Sequence, residues 1–92
     1  MTQEKMRTLI EQQFRDDDRV CSSLSVFNIA GRIKKNYNHV KPPYLMYGIE
    51  IWTDDGNVAV SMLLDDVESI IAGKGDDGLD FKMKSGETVN IR

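Results

Sequence analysis

The sequence predicts an α+β domain in which two N-terminal helices pack on a four-stranded antiparallel β-meander. Three observations support this fold class. Apolar residues near the N-terminus recur every three or four positions, those of the C-terminal half alternate with a period of two, and turn residues separate the alternating segments. We expect residues 1–92 to form a single domain, because a chain of this length has little room for a second core.

One face of the first predicted helix is apolar and contains Met6, Leu9, Ile10 and Phe14. Thr2 is suitably placed as its N-cap. Three aspartates at positions 16–18 are expected to end it, because negative charge is unfavourable at the carbonyl end of a helix.

The second predicted helix covers residues 22–37, where a strand is the alternative. A helix would align five apolar residues on one face: Val26, Ile29, Ala30, Ile33 and Tyr37. The strand-type alternation that begins at Leu24 fails at Asn28, whereas Ser22 or Ser23 can cap a helix. Gly31 counts against the helix by about 1 kcal/mol. On balance these features favour a helix.

The C-terminal half is predicted to contain strands over residues 44–53, 58–64, 79–84 and 87–92. Asp55-Gly56 predicts a tight hairpin whose two central residues both have positive φ. Residues 65–73 are predicted to form a short helix, with Asp65 as N-cap and Gly73 at its end. A continuing strand is the alternative for this segment.

Composition and charge limit the function classes. The net charge is −3, yet residues 19–47 contain five basic residues and no acid. The overall acidity disfavours general nucleic-acid binding, which depends on neutralising phosphates. Cys21 is the only cysteine, which excludes an intrachain disulfide and fits a reducing compartment. Because the sequence has neither a signal-peptide pattern nor an apolar run of about 20 residues, we expect a cytoplasmic protein.

Catalytic and metal-binding motifs are not evident in this sequence. His39 is the only histidine, and no partner motif surrounds it. The paired aspartates at 54–55, 65–66 and 76–77 have the composition of solvated turns rather than the spacing of a calcium loop. We therefore expect a non-enzymatic protein that has no cofactor and no catalytic or metal site.

The second face of the first two C-terminal strands contains apolar residues that a solvated face would lack: Met46, Trp52, Ala59 and Leu63. Either the second helix covers this face or another chain does. The sequence thus predicts a small interaction protein that binds a protein partner stoichiometrically, like accessory or inhibitor proteins of phages and mobile elements, or that forms a homo-oligomer. The predicted partner-binding residues are Met46, Trp52, Leu63, Asp54 and Asp55.

The alternative function is binding of an anionic ligand, a nucleotide or a nucleic acid by the basic segment 32–47. Basic side chains neutralise phosphate charge, and tyrosine rings can stack on bases. The residues predicted for this role are Arg32, Lys34, Lys35, Tyr37, His39, Lys41 and Tyr44.

Residues 63–92 contain a strand, an acidic DD turn and the hairpin sequence KSGETV. This succession resembles DNA-binding LytTR-type domains and, less closely, Sm-like barrels. The shared features are turn residues, so the resemblance implies no role for any particular residue.

Overall fold

A computed structural model describes residues 1–24, 27–35, 47–72 and 78–92. Over these residues the chain forms one α-helix, α1 (Gln3–Gln13), and a short 3-10 turn at Leu64–Asp66. It also forms seven strands: β1 (Arg19–Leu24), β2 (Phe27–Lys35), β3 (Gly48–Trp52), β4 (Val58–Leu63), β5 (Val67–Ala72), β6 (Leu79–Met83) and β7 (Thr88–Ile91). The predicted α+β fold with two helices on a four-stranded meander is therefore wrong, and the protein is mostly β.

All seven strands belong to one curled antiparallel sheet with the order β4-β3-β2-β1-β7-β6-β5. Strands β4 and β5 follow each other in the chain but lie at opposite edges. Only the turn Leu64–Asp66 joins them, so Leu63 and Val67 are at most about 14 Å apart. The sheet must curl until its two edges approach each other at this corner.

The sheet consists of two meanders, β1–β4 and β5–β7, which meet where β1 pairs with β7. Ser22 lies opposite Ile91, and Ser23 lies opposite Asn90. Cys21 and Arg92 exchange two backbone hydrogen bonds of 2.8 and 3.0 Å beside these pairs. We call this junction the seam.

The concave face of the sheet and one side of α1 enclose the core. The apolar residues that are at most 2% exposed on the strands and the 3-10 turn are Ile33, Ile49, Ile51, Leu64, Val67, Ile70, Leu79, Phe81 and Ile91. The helix segment adds three buried residues that are four positions apart and therefore lie on one face: Met6, Ile10 and Phe14.

Helix α1 confirms the first predicted element. The Thr2 hydroxyl accepts a 3.2 Å hydrogen bond from the Lys5 amide, as expected of an N-cap. At the start of the helix, Gln3 Nε2 donates to Asp65 Oδ1 over 3.3 Å. At its end, Lys35 Nζ donates to the Phe14 carbonyl over 2.6 Å. The helix is thus fastened to the 3-10 turn at one end and to β2 at the other.

The second predicted helix is wrong, because residues 19–24 and 27–35 form the hairpin β1–β2. Within β1, even-numbered Val20 and Ser22 face the core, whereas within β2 the inward residues are odd-numbered Gly31 and Ile33. The alternation therefore changes phase between the two strands. For that reason, the alternation of apolar and polar residues that begins at Leu24 does not continue through Asn28.

The short helix predicted over residues 65–73 is also wrong, since Val67–Ala72 forms edge strand β5. The pairing with β6 shifts by one residue between Val67 and Ser69, so that Glu68 is the extra residue of a bulge. The bulge turns both Val67 and Ile70 inward. This spacing of three residues imitates the pattern of a helix.

Two hairpins have the same turn. Thr53 N donates to the Asn57 carbonyl over 2.8 Å, and Gly56 N donates to the Thr53 carbonyl over 3.0 Å. Met83, Gly86 and Glu87 repeat this arrangement between β6 and β7. Each turn has three residues and ends in a positive-φ glycine, so the tight turn predicted with positive φ at Asp55 and Gly56 is correct only for Gly56.

Replacement of Gly31 by Ala is expected to lower the free energy of unfolding by about 1–3 kcal/mol. A Cβ at this position would collide with the Trp52 carbonyl oxygen and lie 2.8 Å from Cγ2 of Ile51. Glycine thus permits the close approach of β2 and β3 that the curl requires. Urea denaturation measures the change. The matched control is Ala30→Val on the exposed side of the same strand, and an equal loss there would contradict this explanation.

Candidate functional site

Strand β4 forms an open edge of the sheet. Among the described residues it pairs with β3 alone. Its six residues, VAVSML, include no charged residue and no proline. Val58 is 44% exposed, Ala59 and Ser61 are exposed, and Val60 and Leu63 are partly buried. Exposed apolar edges of this kind readily pair with another strand.

The hydrogen-bonding direction of β4 follows from its register. Leu64 N donates to the Tyr47 carbonyl over 2.9 Å, and Ile49 lies opposite Met62. In an antiparallel ladder the next residue along the strand directs its N–H and C=O to the other side. The N–H and C=O of Ser61 and the N–H of Leu63 therefore point outward from the edge, while the Leu63 C=O, as N-cap, accepts the first hydrogen bond of the 3-10 turn.

The opposite edge, β5, is better protected. Glu68 is exposed on it, and a charged residue discourages strand addition. Helix α1 also contacts β5. Each edge strand has a bulge, but the bulge of β4 lies at Ala59 near its start, which leaves Val60–Leu63 regular. The open, uncharged edge is thus the β4 edge.

Aspartates stand at both ends of β4. Asp54 and Asp55 occupy the turn before it, and Asp65 and Asp66 follow it in the 3-10 turn. All four are exposed. Asp54 pairs with Arg19 over 3.0 Å, and Asp65 accepts the hydrogen bond from Gln3. We call these four residues the flanking aspartates.

Hydrogen bonds within its own turn keep Asp55 ionised. The Thr53 hydroxyl donates to one carboxylate oxygen, and Asn57 Nδ2 donates to the other over 3.0 Å. The Thr53 hydrogen bond is the larger cause of a lowered pKa for Asp55. Its negative charge therefore persists to a lower pH than is ordinary for an aspartate.

Trp52 lies on the outer, convex face in one cross-strand row with two arginines. Arg19 is opposite Arg32, and Arg32 is opposite Trp52. Both arginines are exposed, while Trp52 is partly buried. The indole Nε1 is buried and has no hydrogen-bond acceptor among the described residues. Trp and Arg are the residue types most enriched at energetic centres of interfaces.

The predicted apolar patch is divided. Trp52 lies opposite Val58, whereas Leu63 lies opposite Gly48 at the other end of β3. The two side chains are thus about 13 Å apart along the strands. The pair Glu50 and Ser61 lies between them. A second helix does not cover this face within the described residues, because residues 22–24 and 27–35 contribute strands to the same sheet.

Two of the basic residues predicted to bind an anion are paired with carboxylates of this chain. Lys34 Nζ forms an ion pair with Asp17. Lys35 Nζ contacts Glu11 Oε2 over 2.9 Å and, with 11% of its side chain exposed, is almost enclosed. Its amide also donates to Asp16 Oδ1 over 2.7 Å. An anion would have to compete with these contacts.

Tyr47 and Glu11 form a polar cluster that reasoning from the sequence missed. Tyr47 Oη donates to Glu11 Oε1 over 2.6 Å, and the Arg7 guanidinium lies 4.9 Å from the centre of the tyrosine ring. Burial, and then this hydrogen bond, raise the pKa of Tyr47. An open groove of 370 Å³ beside the ring is lined by Gln3, Glu4, Arg7 and Tyr47.

Five predicted site residues lie outside the described part of the chain: Met46, Tyr37, His39, Lys41 and Tyr44. Their roles stay predictions. In the described part, no helix combines the length and the apolar character that crossing a bilayer requires. Comparison with protein-family models, curated proteins and solved structures gives no match.

Replacement of Glu11 by Gln is expected to reduce stability at neutral pH by less than about 1 kcal/mol, since 43% of its side chain is exposed. The Lys35 hydrogen bond, followed by that of Tyr47, lowers the pKa of Glu11 below its ordinary value of 4.5. The additional stability of the wild type over the Glu11→Gln variant is therefore fully present above pH 4.5 and is lost as the pH falls through the folded-state pKa of Glu11.

Urea denaturation at pH 7 and in acid measures this difference. The control is Glu87→Gln in the β6–β7 turn, because Glu87 makes no ion pair with the described residues. A Glu11→Gln deficit that persists unchanged in acid would disprove an electrostatic origin.

Proposed function

We propose that this protein is a non-enzymatic cytoplasmic binding protein, an accessory or inhibitor that attaches stoichiometrically to another protein through the β4 edge. The observation that carries the proposal is the uncharged stretch Val60–Leu63, whose outward backbone groups have no strand partner among the described residues. A partner strand would satisfy these groups and cover the exposed apolar side chains.

The cross-strand row of Arg19, Arg32 and Trp52, which we call the outer-face row, supplies a second contact area beside this edge. Trp52 lies directly across from Val58 of β4, and Arg32 extends the row away from the edge. A partner that adds a strand to β4 would lie two strand spacings, about 10 Å, from Trp52. Long side chains can reach across that distance, so one partner can use both surfaces.

The anion-binding alternative has less support from the described residues. Lys34 and Lys35 stabilise the α1–β2 region through their own carboxylate partners. Arg19 is occupied by Asp54, which leaves Arg32 as the exposed cation of the row without an ion pair among the described residues. One arginine beside a tryptophan is better suited to a protein surface than to a polyanion.

The test is capture of binding proteins from extract of the native cell, followed by reconstitution of the complex from purified components. Light scattering should give a defined stoichiometry, and hydrogen exchange should show new protection of the Ser61 and Leu63 amides. Ser61→Lys should weaken binding at least about tenfold, because a charge on an edge strand discourages pairing.

The matched control is Ile71→Lys on edge strand β5, where the replaced side chain is 47% exposed. This variant should bind like the wild type, and circular dichroism should show that both variants are folded. Binding by the Arg32→Ala variant tests whether the partner also contacts the outer-face row. The proposal fails if no protein forms a stoichiometric complex, or if Ser61→Lys binds as well as Ile71→Lys.

A further inference from the structure

We infer that the partner segment at the β4 edge is an extended stretch of about four mainly apolar residues with Lys or Arg on both flanks. The inference rests on the proposed function and adds the chemistry of the partner. It follows from the length of the regular edge, from the side chains along it, and from the charges at its two ends.

The regular edge limits the length of the segment. The bulge at Ala59 interrupts the edge on one side, and the 3-10 turn that begins at Leu64 interrupts it on the other. Between them, the N–H and C=O of Ser61 and the N–H of Leu63 are available to a new strand, whereas the Leu63 C=O, at the N-cap of the 3-10 turn, accepts the first hydrogen bond of that turn. About four residues of a partner are enough to bond these three groups.

The side chains along the edge favour an apolar segment. Met62 is buried on the concave face, and Val60 packs partly buried against the same core. On the convex face, Leu63 is partly buried and Ser61 is exposed. A new strand would place alternate side chains beside each of these pairs. Apolar residues of the partner at those positions would be buried against the apolar side chains of β4.

The flanking aspartates determine which charge is preferred on the two sides of the partner segment. Asp55 precedes β4, and Asp65 and Asp66 follow it, so basic residues on either side of a four-residue segment would be attracted by carboxylates, whereas Asp54 is already paired with Arg19. A charge on the partner that comes within roughly 8 Å of these carboxylates interacts with them at physiological salt. Basic residues are attracted at both ends and acidic residues repelled. The same sign at both ends makes this preference independent of the direction of the bound strand.

A second copy of this chain is a poorer occupant. Antiparallel pairing of β4 with itself about Ser61 would bring Asp65 beside Asn57 of the other copy, and Asp66 beside Gly56. Asp55 would then approach the 3-10 turn of the other copy, so that carboxylates meet at both ends. Like charges at these positions oppose self-association. The flanking aspartates thus select a foreign strand over an identical one.

Fluorescein-labelled peptides test the inference by anisotropy with the full chain. Each has a central Val-Ile-Val-Ile and is flanked by two Lys, two Glu or two Gln on both sides. The Lys-flanked peptide should bind at least about tenfold more tightly than the Glu-flanked one, and the difference should shrink as salt rises. N-methylation of alternate backbone amides should abolish binding, because it removes the donors that pair with the edge, and Ser61→Lys should weaken binding at least about tenfold, because a charge on an edge strand discourages pairing.

Variants that remove carboxylate charges test which aspartates cause the preference for Lys-flanked peptides. The double variant Asp65→Asn and Asp66→Asn should reduce the ratio between Lys- and Glu-flanked peptides, whereas Asp80→Asn should not, because Asp80 lies opposite Ile71, at the end of β5 that is away from Asp66. Equal binding of all three peptides would overturn the charge inference and leave the β4 edge as the binding site. A Ser61-dependent dimer in light scattering would make a second copy the occupant.

Failure of every peptide to bind, combined with unprotected Ser61 and Leu63 amides in a reconstituted complex, would overturn the inference alone. The proposed stoichiometric binding would then involve another surface, such as the outer-face row. Failure to reconstitute any complex, with peptides still bound as expected, would contradict the proposed function and not the chemistry of the edge.

Discussion

The burial of α1 in the concave face of the sheet is the interaction on which the rest of the structure depends. Met6, Ile10 and Phe14 enter the core from the helix side, and hydrogen bonds to Asp65 and from Lys35 fasten its two ends. A curled sheet without this filling would expose its apolar inner face to water. The helix therefore sets how far the sheet curls, and the curl determines which surfaces remain for binding.

The three-residue connection between β4 and β5 has a functional effect. It places consecutive strands at opposite edges, so β4 has β3 on one side and no described strand on the other. Protection of the edges is unequal, because Glu68 and α1 lie at β5 whereas β4 is uncharged. Acidic residues are confined to the ends of β4. This distribution favours regulated pairing with a partner over indiscriminate association.

Sequence patterns predicted α1, β3, β4, β6 and β7, because the period of each continues through the element or, in β4, is interrupted only near its start at Ala59. They failed where irregular backbone altered the period. The phase change between β1 and β2 concealed a hairpin, and the bulge at Glu68 gave β5 a helix-like spacing. The importance of Ser61 was not visible either, since strand order determines which element is an edge. The cross-strand row of Arg19, Arg32 and Trp52 likewise required the register of β1, β2 and β3.

The seam has a consequence for how the chain folds. Each meander forms through hairpins between neighbouring segments, whereas Ser22 and Ile91 come from distant parts of the chain. Joining them closes a large loop, and the entropy lost in doing so precedes the gain from pairing. We therefore expect the meeting of β1 and β7 to limit the folding rate. Before it occurs, two additional sheet edges are exposed, and during that interval the chain is most vulnerable to aggregation and proteolysis.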